Sequence, residues 1–73
     1  MSIQHLLGIN VRLIREAKGW SQDKLSERSG LHRTYLSGIE RGVRNPTVEI
    51  VQQVALALEV PVSELFHELE KNQ

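Results

Sequence analysis

Arg33, Thr34, Ser37, Gly38 and Arg41 carry the chemistry of this chain, and their spacing matters as much as their types. At about 100° per residue, Thr34, Ser37, Gly38 and Arg41 (i, i+3, i+4, i+7) share one side of a helix, with Arg33 beside them. Leu36, Ile39 and the stem of Glu40 fall on the other side, and Leu31 adds an apolar anchor just before the helix. An ordinary solvated face carries long Glu and Lys chains. Small residues instead let a helix approach a surface closely, and guanidinium groups can reach past them to base edges or phosphates. Gly38 sharpens the point, because glycine inside a helix costs about 1 kcal/mol relative to alanine. Something should need the missing side chain, and the expectation is close approach of a DNA duplex. The same residues also describe a weak surface helix with two incidental arginines.

Charge segregation weighs on this choice. Nine basic residues balance nine acidic ones. Residues 1–20 hold Arg12, Arg15 and Lys18 against Glu16, and residues 21–46 hold Lys24, Arg28, Arg33, Arg41 and Arg44 against Asp23, Glu27 and Glu40, a balance of +2 in each segment. Residues 47–73 set Lys71 against Glu49, Glu59, Glu64, Glu68 and Glu70, a balance of −4. A basic front can face phosphate while an acidic tail stays off it.

The elements that must position these residues are short and helical. A first helix runs from about Ile3 to Lys18, with Leu6, Leu7, Val11, Ile14 and Ala17 as its stripe, and ends at Gly19. Ser21 is the N-cap of a second helix that turns Leu25 inward, with Asp23 in its first turn. Gly30 supplies the left-handed residue of a tight turn into the third helix, about His32 to Arg41. Thr47 caps a fourth, striped by Val48, Val51, Val54, Ala55 and Leu58. Pro61 starts a fifth carrying Val62, Leu65, Phe66 and Leu69. The 73 residues therefore make one all-α, five-helix domain, 1–73, in which roughly 60% of the unfolded surface can be buried. With no cysteine, neither disulfides nor a thiolate zinc site can staple it. No apolar run is long enough to span a membrane, and the first residues lack a secretory pattern, so a cytoplasmic protein is expected.

From Val11 to Phe66, about three-quarters of the chain, the pattern resembles the helix-turn-helix domain of the phage repressor and Cro type, the Xre family. Arg15, Trp20-Ser21-Gln22, Leu25, Gly30, Leu36, Ile39-Glu40-Arg41-Gly42, Asn45-Pro46-Thr47 and Leu56-Ala57-Leu58-Glu59-Val60 carry the likeness. It implies a compact lambda-repressor-like fold with its helix-turn-helix at about 21–41, binding double-stranded operator DNA as a dimer. By the same resemblance Arg33 and Thr34 stand where base-reading side chains lie, with Ser37 secondary. Gln22 stands where a side chain holds the phosphate backbone, and is otherwise a surface amide. Tyr35 either reaches phosphate through its hydroxyl or packs against the second helix. Arg41, Arg44 and Asn45 suit phosphate or a nearby groove, and Arg15 and Glu40 match an internal salt bridge. The run Arg33 to Gly42 with Arg44-Asn45-Pro46 is similar, more narrowly, to controller proteins of restriction–modification systems. His32 departs from these, which often have Asp there as a better N-cap; a histidine can instead point at phosphate or base with some pH dependence.

The apolar stripe Val62, Leu65, Phe66 and Leu69 is expected to divide between the core and a homodimer interface. A two-fold dimer would set two reading helices about 34–36 Å apart and call for a near-palindromic operator. The resemblance also admits RNA polymerase as a partner. Against an enzyme, His5, His32 and His67 form no His-Glu-x-x-His motif or ligand cluster, and no glycine-rich phosphate loop or nucleophile motif is present; neither cofactor nor metal is expected. The more serious rival is the DNA-binding antitoxin of a toxin–antitoxin pair. It would need an extended tail for its partner, and the chain stops soon after the fifth helix.

Overall fold

Three hydroxyls start three of the helices. Ser2, Ser21 and Thr47 accept hydrogen bonds from the backbone N–H of His5, Lys24 and Ile50 at 3.1, 3.0 and 3.2 Å, each satisfying a first-turn donor that would otherwise lack a partner. The computed structural model describes residues 1–68 and contains α1 (Ile3–Ala17), α2 (Gln22–Ser29), α3 (Arg33–Glu40), α4 (Val48–Leu58) and a 3-10 helix (Val62–Phe66). His32 occupies the N-cap of α3 and makes no capping bond. The third helix therefore starts with less local support than its neighbours.

Gly30 ends α2 at φ +77°, and its N–H donates to Ser26 O at 2.9 Å. Ser29 Oγ accepts from Leu31 N–H at 3.1 Å, Ser26 Oγ donates to Leu31 O at 2.5 Å, and Gln53 of α4 donates to Ser29 O at 2.7 Å. With this turn so held, α3 packs on α1 and α2, while α4 packs on α2 and the 3-10 helix closes the far end against α1 and α4. Leu7, Val11, Leu25, Leu36, Ile39, Val51, Val54, Ala55, Leu58 and Leu65 form the core.

Two glycines approach a neighbour closely. Gly8, midway along α1, faces the C-terminal end of α3. A Cβ there would overlap Ile39 O and lie 2.6 Å from Glu40 O, so the α1–α3 contact has no room for any side chain. Gly38 lies buried on α3 under the side chain of Arg44.

Several sequence expectations are corrected. The fifth helix is present as a five-residue 3-10 helix, Val62–Phe66, with Pro61 at its N-cap. Leu65 is 0% exposed, which removes it from the expected dimer interface. Asn10, buried on α1, draws that segment in by donating to Leu65 O at 3.1 Å and His67 O at 2.8 Å. Val48 is 83% exposed, a full turn beyond the buried Val51–Val54–Ala55–Leu58 stripe, and Ala17 is also exposed. Leu69 lies outside the described residues.

Candidate nucleic-acid interface

Behind α3 sits a closed polar network. Arg15 of α1 donates through Nε to Glu40 Oε2 at 2.6 Å and through Nη2 to Glu40 Oε1 at 3.0 Å. Its Nη1 donates to Trp20 O at 2.7 Å, and Gln22 Nε2 donates to Glu40 Oε1 at 3.0 Å. One bidentate pair thus ties α1, the α1–α2 turn, the start of α2 and the end of α3. Both side chains are buried, Arg15 to 10% exposure and Glu40 to 4%. Hydrogen bonding to Glu40 holds the Arg15 guanidinium above its usual pKa range, against burial, which pulls it down. Among the described residues no buried side-chain polar atom lacks a partner.

The outer side of α3 has a different character. His32, Arg33, Thr34, Arg41, Arg44 and Asn45 are exposed, while Ser37 and Tyr35 are half-buried. Arg33 Nε lies 3.2 Å from Asp23 Oδ1 of α2, with side chains 63% and 78% exposed. Arg41 Nε donates weakly to Ser37 Oγ at 3.4 Å. Tyr35 packs against the core, with the Arg44 guanidinium carbon 5.5 Å from its ring centre. The expected outward position of Gly38 is wrong: the returning loop lays Arg44 over it and buries it, while Thr34 and Arg41 stay exposed.

Next to this face a cleft of about 260 Å³ opens between the helices, with Arg12, Gln22, Ser37 and Arg41 at its rim and the Arg15–Glu40 pair in its lining. The fold adds Arg12 to the candidate residues. Its signal is the i, i+3 spacing from Arg15, which puts both on one side of α1; Arg12 meanwhile pairs with Glu16 at 3.1 Å. Gln22 reaches the cleft from the N-terminus of α2. One N–H of its amide is committed to Glu40, which leaves the second for a ligand. Among the described residues no group of three or more His, Cys, Asp or Glu is placed to hold a metal ion, and no helix is long and apolar enough to cross a membrane.

Two eight-residue helices joined through a left-handed glycine, the second braced from behind and polar in front, define a helix-turn-helix. Residues 11–65 match the helix-turn-helix family HTH_3, and the chain belongs to it. Over 62 residues it is 45% identical to the HTH-type transcriptional regulator SlrR of Bacillus subtilis, spanning 84% of this chain but only 41% of SlrR. Over 66 residues it is 43% identical to the control protein C.SmaI of Serratia marcescens, 90% of this chain and 79% of the relative. Among solved structures, the restriction–modification controller protein C.AhdI of Aeromonas hydrophila superposes with a TM-score of 0.83 at 41% identity, covering 86% of this chain and 96% of that one. The C.Esp1396I controller, a tetramer in complex with its natural 35 base-pair operator, superposes with a TM-score of 0.82 at 35% identity, covering 90% of this chain and 87% of that one.

Proposed function

We propose that this protein is a sequence-specific DNA-binding transcriptional regulator of the controller kind, acting as a homodimer on a near-palindromic operator. The observation that carries the reading is the division of α3 into an inner side locked by Leu36, Ile39 and Glu40 and an outer side that presents Arg33, Thr34 and Arg41 to solvent. In the major groove, Arg33 reads guanine through O6 and N7, a contact worth about 1–3 kcal/mol of discrimination, with Thr34 and Ser37 beside it. Phosphates on either side are held by Gln22, Arg12 and Arg41 around the cleft, and by His32, the Tyr35 hydroxyl, Arg44 and Asn45 along the helix and its exit loop. The antitoxin reading is not favoured, since the relatives carry the names of regulators and controllers.

The dimer rests on an apolar groove of about 290 Å³ that begins beside Asn45 and Pro46 and is walled by Ile3, Val48, Val62 and Phe66. Exposed valines beside a half-buried phenylalanine suit a second copy better than water. In this reading Val62 and Phe66 belong to the interface, with Ile3 and Val48 beside them in place of Leu65.

Selection of binding sites from random duplexes tests the whole reading. The expected product is an inverted repeat whose half-sites are one helical turn, about 34–36 Å, apart. A consensus without two-fold symmetry would overturn the dimer, and failure to enrich any duplex at low salt would overturn DNA binding itself.

A further inference from the structure

The chain beyond α3 doubles back on it. Gly42 at φ +76° donates to Ile39 O at 3.0 Å, and Val43 N–H donates to Gly38 O at 3.0 Å. These are the two bonds of a Schellman ending, which reverses the backbone. The next residue, Arg44, is carried back along the outer flank of α3. Its methylenes lie where a side chain at position 38 would be: a Cβ on Gly38 would meet Arg44 Cγ at 2.7 Å, Nε at 3.1 Å and Cδ at 3.4 Å. Tyr35 is one turn earlier on the same side (i, i+3), and the guanidinium carbon of Arg44 lies 5.5 Å from its ring centre, within cation–π range. Notch and platform together give an exposed loop arginine one pose.

We infer that Gly38 and Tyr35 are positioning residues for Arg44, fixing its guanidinium beside α3 before DNA arrives, so that Gly38 contributes to operator recognition through Arg44 and not by direct approach to the duplex. This rests on the DNA-binding reading above. Two observations at the notch favour it. Gly38 has helical backbone geometry that any residue can adopt, so conformation does not demand glycine there. The atoms that its Cβ would displace, Arg44 Cγ first, are side-chain and not backbone atoms, so alanine is accommodated by turning the whole Arg44 side chain away about its first torsion. What alanine removes is the seat of Arg44.

Stability and recognition should therefore move in opposite directions. Gly38→Ala raises Tm by on the order of 5 °C, because alanine suits a helix interior better than glycine. It weakens binding to the selected operator by about three- to tenfold, tenfold corresponding to 1.4 kcal/mol. In an Arg44→Ala background the same substitution changes operator affinity by less than about twofold, the signature of two residues acting as one unit. In the DNA-free protein, the Arg44 side-chain protons carry a ring-current shift from Tyr35 that disappears in Gly38→Ala and in Tyr35→Leu. Equal losses from Gly38→Ala with and without Arg44 would overturn the inference, because glycine would then be serving the duplex directly. So would an unchanged ring-current shift in Gly38→Ala. If the wild type enriches no duplex, DNA binding itself fails and the recognition role falls with it, whereas the proton shifts still decide whether Gly38 seats Arg44.

Discussion

On its inner side α3 is fastened by Leu36 and Ile39 in the core, by Glu40 in a four-bond network and by the bare contact of its carbonyls with Gly8. On its outer side the bonds are a 3.2 Å ion pair between two exposed groups and a 3.4 Å contact from Arg41 to Ser37. The inner bonds are part-buried, charge-assisted and mutually dependent. The outer ones are exchangeable at little cost for bonds to another polar partner. A helix that reads a ligand needs both kinds: a fixed axis, so that registration is not lost on binding, and side chains whose present partners are easy to leave.

The largest effects should come from the inner side. Arg15→Ala strands Glu40 without its guanidinium and is expected to cost about 3–5 kcal/mol, a large part of the stability of a small domain. The urea midpoint measures it. A loss below ~1 kcal/mol would put the pair on a level with surface pairs and erase the contrast. Because its folded pKa is raised, Arg15 contributes fully below its unfolded value and loses that contribution only as pH rises through the folded one. Both values are far above neutrality, so the difference between wild type and Arg15→Ala should stay flat on mildly alkaline titration. Next in size is Gly8→Ala. Its methyl meets backbone oxygens of α3 that cannot rotate aside, and overpacking of this kind should cost about 2 kcal/mol net of improved helix propensity. The sharpest form of the comparison sets it beside Gly38→Ala: two mid-helix glycines, one lowering Tm when replaced and the other raising it. If both raise Tm, the α1–α3 contact is softer than it looks.

Much of this frame was legible in the sequence. Ser21 and Thr47 announce their helices because a capping hydroxyl acts over three residues, and Gly30 marks the turn for equally local reasons. Leu36 and Ile39 follow from the 3.6-residue period, and the Arg15–Glu40 pair from family likeness. What escaped depends on distant partners. Gly8 and Gly38 look alike in sequence, and only the fold puts carbonyls over one and Arg44 over the other. Asn10 occupies an apolar register, a hint that it must satisfy something buried, but the two carbonyls it holds are more than fifty residues away. Val48 has the spacing of the α4 stripe, and what decides its exposure is where α4 runs out of neighbours. The Asp23–Arg33 pair crosses between helices whose relative angle no local pattern encodes.

On the outer side the expected effects fall on DNA and leave the fold alone. Arg33→Ala should change stability by no more than about 0.5 kcal/mol. It should remove about 1–3 kcal/mol of preference at one base pair of the selected site, read from competition with single-base variants. Specificity that survives intact would move the reading function to Thr34, Ser37 or Arg44.

The smallest expected effect says most about how the outer side works. Asp23 is both in the first turn of α2, where an acid suits the helix dipole, and 3.2 Å from Arg33. Two roles are open to it. As a competitor, it occupies the guanidinium until a duplex displaces it, and its own charge repels phosphate. As a guide, it orients Arg33 toward the groove. The exposure of both groups favours the competitor, since a screened pair of this kind is worth ~1 kcal/mol at most and orients little. Asp23→Asn keeps the shape and removes the charge, so it should lower stability by less than about 1 kcal/mol through the lost dipole interaction. It should also tighten binding about two- to fivefold, mainly by faster association, with the gain shrinking as salt is added. Weaker binding with relaxed base preference would identify Asp23 as the guide, and the outer side of α3 would then be preset like the inner one.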